Sequence, residues 1–201
     1  MIVGQLEARG IGFHGLKKAV SADADARTIR FEDGSDTAYD LLLAVPPHRP
    51  PRVLVEAGLA EAGGWVRVVP RTLELEAPGV SEVYVVGDSN GVPLPGRYDA
   101  AAPPLALPKA GVFAASEGEA VAARIAARVS GRAEEPEPFQ GRGFCYIEMG
   151  GRRAIRAEGD FFADPHPVMS AKPPTEEQYR DKVAWIESWL TPQRISTNRS
   201  D

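Results

Sequence analysis

The sequence predicts an α/β protein, α+β in part, and three observations carry that reading. Short apolar runs bounded by Gly and Pro recur through the first half of the 201 residues. A long stretch with helical periodicity, residues 109–129, follows the last of them. A further strand pair and a second amphipathic stretch come after it. Strands alternating with helices are the pattern of sheets covered by helices.

Residues 17–45 carry the first strand signals. Thr28-Ile29-Arg30-Phe31 alternates, Asp33-Gly34 supplies a hairpin turn, and residues 39–45 form a short apolar run expected as a buried core strand. Pro46-Pro47 stops that strand, because neither proline can donate to a ladder, and Pro50-Pro51 keeps the segment extended. A domain crossover is placed here. Gly63-Gly64 opens a turn into a short strand over residues 65–70, and residues 83–86 are expected as a buried strand after the turn at Pro78-Gly79. Residues 89–107 hold six prolines or glycines and form a loop whose length points to a functional role. In the helix that follows, Ala110, Ala114, Gly118, Ala122, Ile125 and Val129 fall on one stripe, and its small side chains admit a neighbouring backbone. Gly131 is its stop signal.

Residues 132–138 are a charged, Pro-punctuated linker. Beyond it, residues 144–149 and 153–162 read as two strands joined through Gly150-Gly151. Thr175-Glu176-Glu177-Gln178 matches a capping box, and Tyr179, Val183, Ile186 and Leu190 give the stripe of an amphipathic helix.

Composition narrows the function. A net charge of −5 argues against nucleic acid as a partner. A single cysteine, Cys145, allows no internal disulfide and is compatible with a reducing compartment. No run of about 18 apolar residues and no signal-peptide anatomy is present, so a cytoplasmic protein, soluble or peripheral to a membrane, is expected. His14, His48 and His166 have no ligand spacing among themselves or with Cys145, so no metal site is expected.

Five features could carry chemistry. A literal GxGxxG at Gly10-Ile11-Gly12-Phe13-His14-Gly15 lacks the buried strand before it and the amphipathic helix after it that a dinucleotide site needs, and it is read as strand and turn. Asp88 of the Gly87-Asp88 pair, at the end of an apolar run, can hold sugar or ribityl hydroxyls in a sheet crevice. Equally, it can cap its own turn, Asp88-Ser89-Asn90-Gly91 being good turn chemistry. Pro108-Lys109-Ala110-Gly111 opens a helix whose free amides attract negative charge, worth roughly 0.3–1 kcal/mol, with Lys109 adding a full charge or serving only as a surface lysine. Cys145 is either a small hydrophobe in an apolar strand or a redox thiol, which would need a second cysteine. Trp185 and Trp189 broaden the apolar face of the last helix. Its four acidic against two basic residues favour packing on protein over a membrane surface.

Together, Tyr39-Asp40-Leu41-Leu42-Leu43, Pro46-Pro47, Gly64-Trp65-Val66, Val83-Tyr84-Val85-Val86-Gly87-Asp88, Pro108-Lys109-Ala110-Gly111 and Phe144-Cys145-Tyr146 resemble the carboxyl-terminal half of the sulfide:quinone oxidoreductase and flavocytochrome c sulfide dehydrogenase flavoproteins. These belong to the broader pyridine nucleotide-disulfide oxidoreductase class. The resemblance spans about residues 6–190. It implies an incomplete flavoprotein fold of two dinucleotide-binding-type domains, followed by a small carboxyl-terminal sheet and an amphipathic helix. Residues 1–45 would be the tail of the inserted NAD-type domain, 46–131 the last part of the FAD-binding domain, and 132–201 the sheet-and-helix region.

The same resemblance implies roles for individual residues. Gly87 and Asp88 would bind the FAD ribityl chain, Lys109, Ala110 and Gly111 would face the flavin pyrimidine edge, and Cys145 would be one of a sulfur-handling pair. Electrons from sulfide or NAD(P)H would pass through flavin to a quinone or cytochrome. The other glycine fingerprint and the second cysteine would lie before Met1, so the chain alone is expected to hold FAD weakly or not at all and to be inactive. Two alternatives stand beside this reading. One is a non-catalytic relative acting as a dimerisation or interaction module, and the other is one chain of a split flavoenzyme completed by an amino-terminal chain.

Overall fold

The computed structural model describes residues 2–60, 64–132 and 135–190. Contacts divide the chain into two compact units, Met1–His48 and Arg49–Asp201.

The first unit opens with helix α1 (Ile2–Glu7) and continues into an antiparallel sheet of β1 (Ala19–Asp23), β2 (Thr28–Phe31) and β3 (Asp36–Ala38), paired in that order. The Asp23 carboxylate accepts the N–H groups of Asp25 (3.0 Å) and Ala26 (2.8 Å) and so shapes the first turn. The expected hairpin at Asp33-Gly34 is present, with Gly34 at φ 83° and the Phe31 N–H on the Ser35 carbonyl. Gly10 follows a helix rather than a strand, and no helix follows Gly15.

The core strand expected over residues 39–45 does not form. β3 ends at Ala38, and Leu41, Leu43 and Val45 are irregular and exposed. Its apolar character gives it no ladder here, because no described strand pairs with it and Pro46-Pro47 ends it within one turn length.

In the second unit the short helix α2 (Arg52–Glu56) precedes a core built from irregular chain. Val66, Val68, Leu73 and Leu75 are buried together with Val85, Val92 and Phe113. The runs expected as strands meet only through isolated bridges: Val68 with Leu75, Glu74 with Tyr84, and Val66 in parallel with Asn90. Residues 83–86 are therefore not a buried strand. Val85 points inward while Val83 and Val86 are exposed, because the run has one bridged neighbour and nothing described on its other edge.

Helix α3 (Gly111–Val129) ends as expected. Gly131 takes φ 65°, its N–H meets the Arg128 carbonyl, and the Arg132 N–H meets that of Ala127. Its buried stripe differs from the small-residue one expected. Phe113, Glu117 and Val121 face inward, whereas Ile125 and Val129 are exposed. Phe113 and Val121 carry more apolar surface than the alanines beside them, and that area sets the orientation.

The Phe113 ring occupies the space left by Gly143, where a Cβ would lie 2.4 Å from the ring. Gly143 belongs to a second antiparallel sheet of β4 (Arg142–Glu148), β5 (Ala154–Asp160) and β6 (Val168–Ala171). Gly150 (φ 74°) and Gly151 (φ 60°) make the β4–β5 turn.

Helix α4 (Glu176–Leu190) starts at Thr175, whose Oγ1 accepts the Gln178 N–H at 3.2 Å, half of the expected capping box. The Gln178 side chain does something else. Its Oε1 accepts the Arg156 N–H and its Nε2 donates to the Pro173 carbonyl at 2.8 Å, tying α4 to β5. Trp185 meets Phe144 and Tyr146 of β4 at 5.9 and 6.5 Å between ring centroids, while Trp189 stays half exposed. Among the described residues no helix is long and apolar enough to cross a membrane.

Candidate functional site

After extended Val86, Gly87 takes φ 65° and opens a single 3₁₀ turn, Gly87–Ser89. A left-handed residue there suits glycine, and the tight approach to Ala114 of α3, 3.2 Å from a Cβ placed at Gly87, demands it further. The turn closes with the Asn90 N–H on the Gly87 carbonyl at 3.2 Å. Asp88 at its apex is exposed and makes no hydrogen bond among the described residues, so it does not cap its own turn.

Beneath the turn lies Glu117, whose side chain is 1% exposed as a residue and sits in the apolar stripe of α3. Its Oε2 accepts the Gly87 N–H at 2.6 Å and the Asn90 Nδ2–H at 2.7 Å. Asn90, itself buried, gives its other side-chain contact to the Val85 carbonyl at 3.0 Å. The Asn90 backbone carbonyl in turn accepts the Lys109 ammonium, which stands 4.3 Å from the centre of the Trp65 ring.

Burial raises the Glu117 carboxyl above the ordinary range, although the Gly87 and Asn90 hydrogen bonds and nearby Lys109 pull it back. Burial likewise lowers the Lys109 ammonium, while Asp88 and Glu117 act against that fall. Burial thus acts against the charged form of both groups.

Gly87, Asp88, Lys109 and Ala110 line one small cavity with Asn90 and Glu117. Its volume is about 10 Å³, room for no more than one water. Gly111 follows as the exposed first residue of α3, whose amino-terminal amides have no side-chain cap. Cys145 lies elsewhere, on β4 opposite Ala157, and is exposed. The core-packing reading of that thiol is corrected accordingly. The register sets only the small Ala157 opposite it, and the residue is exposed.

By sequence, Glu117 has no role, Asn90 only a place in a turn and Trp65 only a place in the Gly64-Trp65-Val66 run. A glutamate spaced four residues from both Phe113 and Val121 was the available signal, since a charge in an apolar stripe needs a partner.

No family model matches the chain. The fold, however, has known counterparts. The sulfide:quinone oxidoreductase of the hyperthermophilic bacterium Aquifex aeolicus superimposes with a TM-score of 0.73 at 17% identity, over 94% of this chain and 43% of that one. A chain of the Tetrahymena thermophila mitochondrial ATP synthase F1Fo composite tetramer gives a TM-score of 0.56 at 19% identity, over 77% of this chain and 34% of that one. At these identities the likeness is one of fold. This chain spans less than half the length of either structure.

The donor set suits a flavin. The exposed carboxylate of Asp88 can accept from polyol hydroxyls, and uncapped amides at the start of α3 can donate to an anionic ring edge. The cavity beneath is too small to enclose a ring system. Nearby, a cleft of about 490 Å³ runs from Val112 across β4–β6, walled by Phe144 and Val168. Two of its lining residues, Arg142 and Asp160, are cross-strand partners and pair at 3.2 Å. Arg156 Nε comes within 2.7 Å of Glu158 without aiming its N–H at the carboxylate, making an ion contact rather than a hydrogen bond.

Proposed function

We propose that this chain supplies the flavin-facing part of an FAD-dependent oxidoreductase of the sulfide:quinone type. The observation that supports it is convergence. Residues 87, 88, 109 and 110, separated by the long loop, meet at one place with an exposed carboxylate beside an uncapped helix start. In this reading Asp88 binds the ribityl hydroxyls, and the Ala110 and Gly111 backbone meets the pyrimidine edge under the charge of Lys109. Bound FAD supplies two-electron chemistry between sulfide or NAD(P)H and a quinone or cytochrome. The apolar-walled cleft reaching Val112 offers the acceptor a place beside that helix start. Cys145, exposed on β4, is available to sulfur substrates and would work with a cysteine from a complementary chain.

The test is flavin binding by the purified protein, followed by absorbance and by titration with FAD. Weak binding that Asp88→Ala abolishes is expected. Equal FAD affinity in the wild type and in Asp88→Ala and Lys109→Ala would remove the assignment.

The exposed run Leu41, Leu43 and Val45 favours a second reading, in which apolar surface is covered by another chain and the protein serves assembly. Light scattering separates the two. A tight dimer with no affinity for FAD supports assembly alone.

A further inference from the structure

We infer that Glu117 is a positioning residue, which seats the Lys109 ammonium through the two hydrogen bonds it accepts. The inference rests on the flavin reading for its purpose but on geometry for its substance. One carboxylate oxygen collects the Gly87 N–H and the Asn90 Nδ2–H, so both ends of the turn are tied to the middle of α3. Asn90 is then held on two sides, by Glu117 and by the Val85 carbonyl, and its own carbonyl has a fixed direction. That carbonyl holds Lys109.

Trp65, the other wall around the ammonium, is set by the same turn. Gly91 follows Asn90 directly, and a Cβ there would lie 2.8 Å from the Trp65 Cβ. Among the described residues, the charged groups acting on Glu117 are Lys109 from the segment before α3 and Asp88 from the turn. Beyond its direct charge interaction with Lys109, Glu117 reaches that lysine through Asn90. Here the chain of contacts makes Lys109 depend on it.

An aromatic ring 4.3 Å from the ammonium shifts the resonances of the lysine methylenes, and this provides a readout specific to the seat. In proton–carbon spectra of the full chain, the ring-shifted ε-methylene signal of Lys109 is identified by its loss in Trp65→Leu. Glu117→Gln, whose amide oxygen still accepts both hydrogen bonds, is expected to keep the signal in place. Glu117→Ala, checked as folded by its core methyl signals, is expected to return it to the position of an exposed lysine. Persistence of the shifted signal in folded Glu117→Ala overturns the inference. So does its loss in folded Glu117→Gln, which decides the matter where the alanine variant does not fold. No flavin is needed for these spectra. A wild-type protein that binds no FAD therefore strikes the functional reading while leaving this result standing.

Discussion

The Glu117 carboxylate on α3 accepts the Gly87 backbone N–H at 2.6 Å, joining the two stretches that the candidate site is built from. The bond runs between a left-handed glycine and a glutamate that shares the buried stripe of α3 with Phe113 and Val121. Neither partner is an ordinary residue for its position, and each explains the other. The glycine exposes its N–H downward only because its φ is positive, and the glutamate is tolerated only because that N–H and the Asn90 amide meet it.

Glu117→Ala leaves the part-buried Gly87 N–H and one hydrogen of the buried Asn90 amide without their acceptor, at up to about 1–3 kcal/mol for each. Glu117→Gln keeps the acceptor and removes the charge. Because burial raises the folded-state carboxyl above its unfolded value, folding is most favoured below the unfolded value and loses stability as pH rises through the folded one. The Gln variant has no such titration. Its stability relative to wild type is therefore expected to improve as pH climbs out of the ordinary carboxylate range, as read from urea midpoints at several pH values. A difference that stays flat with pH would show that this carboxyl titrates normally.

Gly87→Ala places an L side chain at φ 65° and a methyl 3.2 Å from that of Ala114. The left-handed backbone alone costs about 1–2 kcal/mol. The contact adds to it. Pairing the change with Ala114→Gly should recover the contact and leave the backbone share, so the double variant should stay less stable than Ala114→Gly alone in denaturant unfolding. Full recovery would mean that the backbone adapts freely.

Much of this arrangement was legible in the sequence, for physical reasons that differ from element to element. The hairpin at Asp33-Gly34, the helix over residues 111–129 and its Gly131 stop depend on local chemistry, and local chemistry is written in consecutive residues. The β4–β5 pair was equally plain, because Gly150-Gly151 fixes its turn. By contrast, residues 39–45 and 83–86 have strand composition, but a strand exists only where a neighbour completes its ladder, and composition cannot supply one. The four-residue β6, following two prolines, left too little pattern to detect. Gly87, Asp88, Lys109 and Ala110, which the sequence singles out by motif, lie around one small cavity. The role of Glu117 and Asn90 there was not legible because it arises from contacts spanning 27 and 30 residues, between elements that only folding brings together.

Gly143 should tolerate no side chain. A methyl there would lie 2.4 Å from the Phe113 ring, so Gly143→Ala forces that buried ring, or the backbone of β4 or α3, to shift. Overpacking of this kind costs about 1–3 kcal/mol. Phe113→Leu, which shortens the opposing side chain, is expected to be destabilising alone yet to offset part of the Gly143→Ala loss when combined. A double-mutant cycle on thermal or urea unfolding checks this, and strict additivity would place the strain elsewhere.

Gln178 holds α4 onto β5 more by its side chain than by its place in a cap. It is buried, and its amide joins the Arg156 N–H, the Pro173 carbonyl and the Thr175 hydroxyl. Gln178→Ala strands the Arg156 N–H and the Pro173 carbonyl, for a loss of about 1–3 kcal/mol per buried group left unmade. The first consequence is local, because Trp185 keeps its place against Phe144 and Tyr146 only while the helix stays seated. With Trp65 and Trp189 replaced by Phe, the emission of Trp185 reports this contact by itself. A red shift toward that of exposed tryptophan is expected in Gln178→Ala at denaturant concentrations where the wild-type side chain is still packed. Thr175→Ala removes the Oγ1 that accepts the Gln178 N–H but leaves the Gln178 bonds to β5, so it should lower helix stability with a much smaller emission change. If the two variants shift the emission equally, α4 is held by its cap and not by the glutamine.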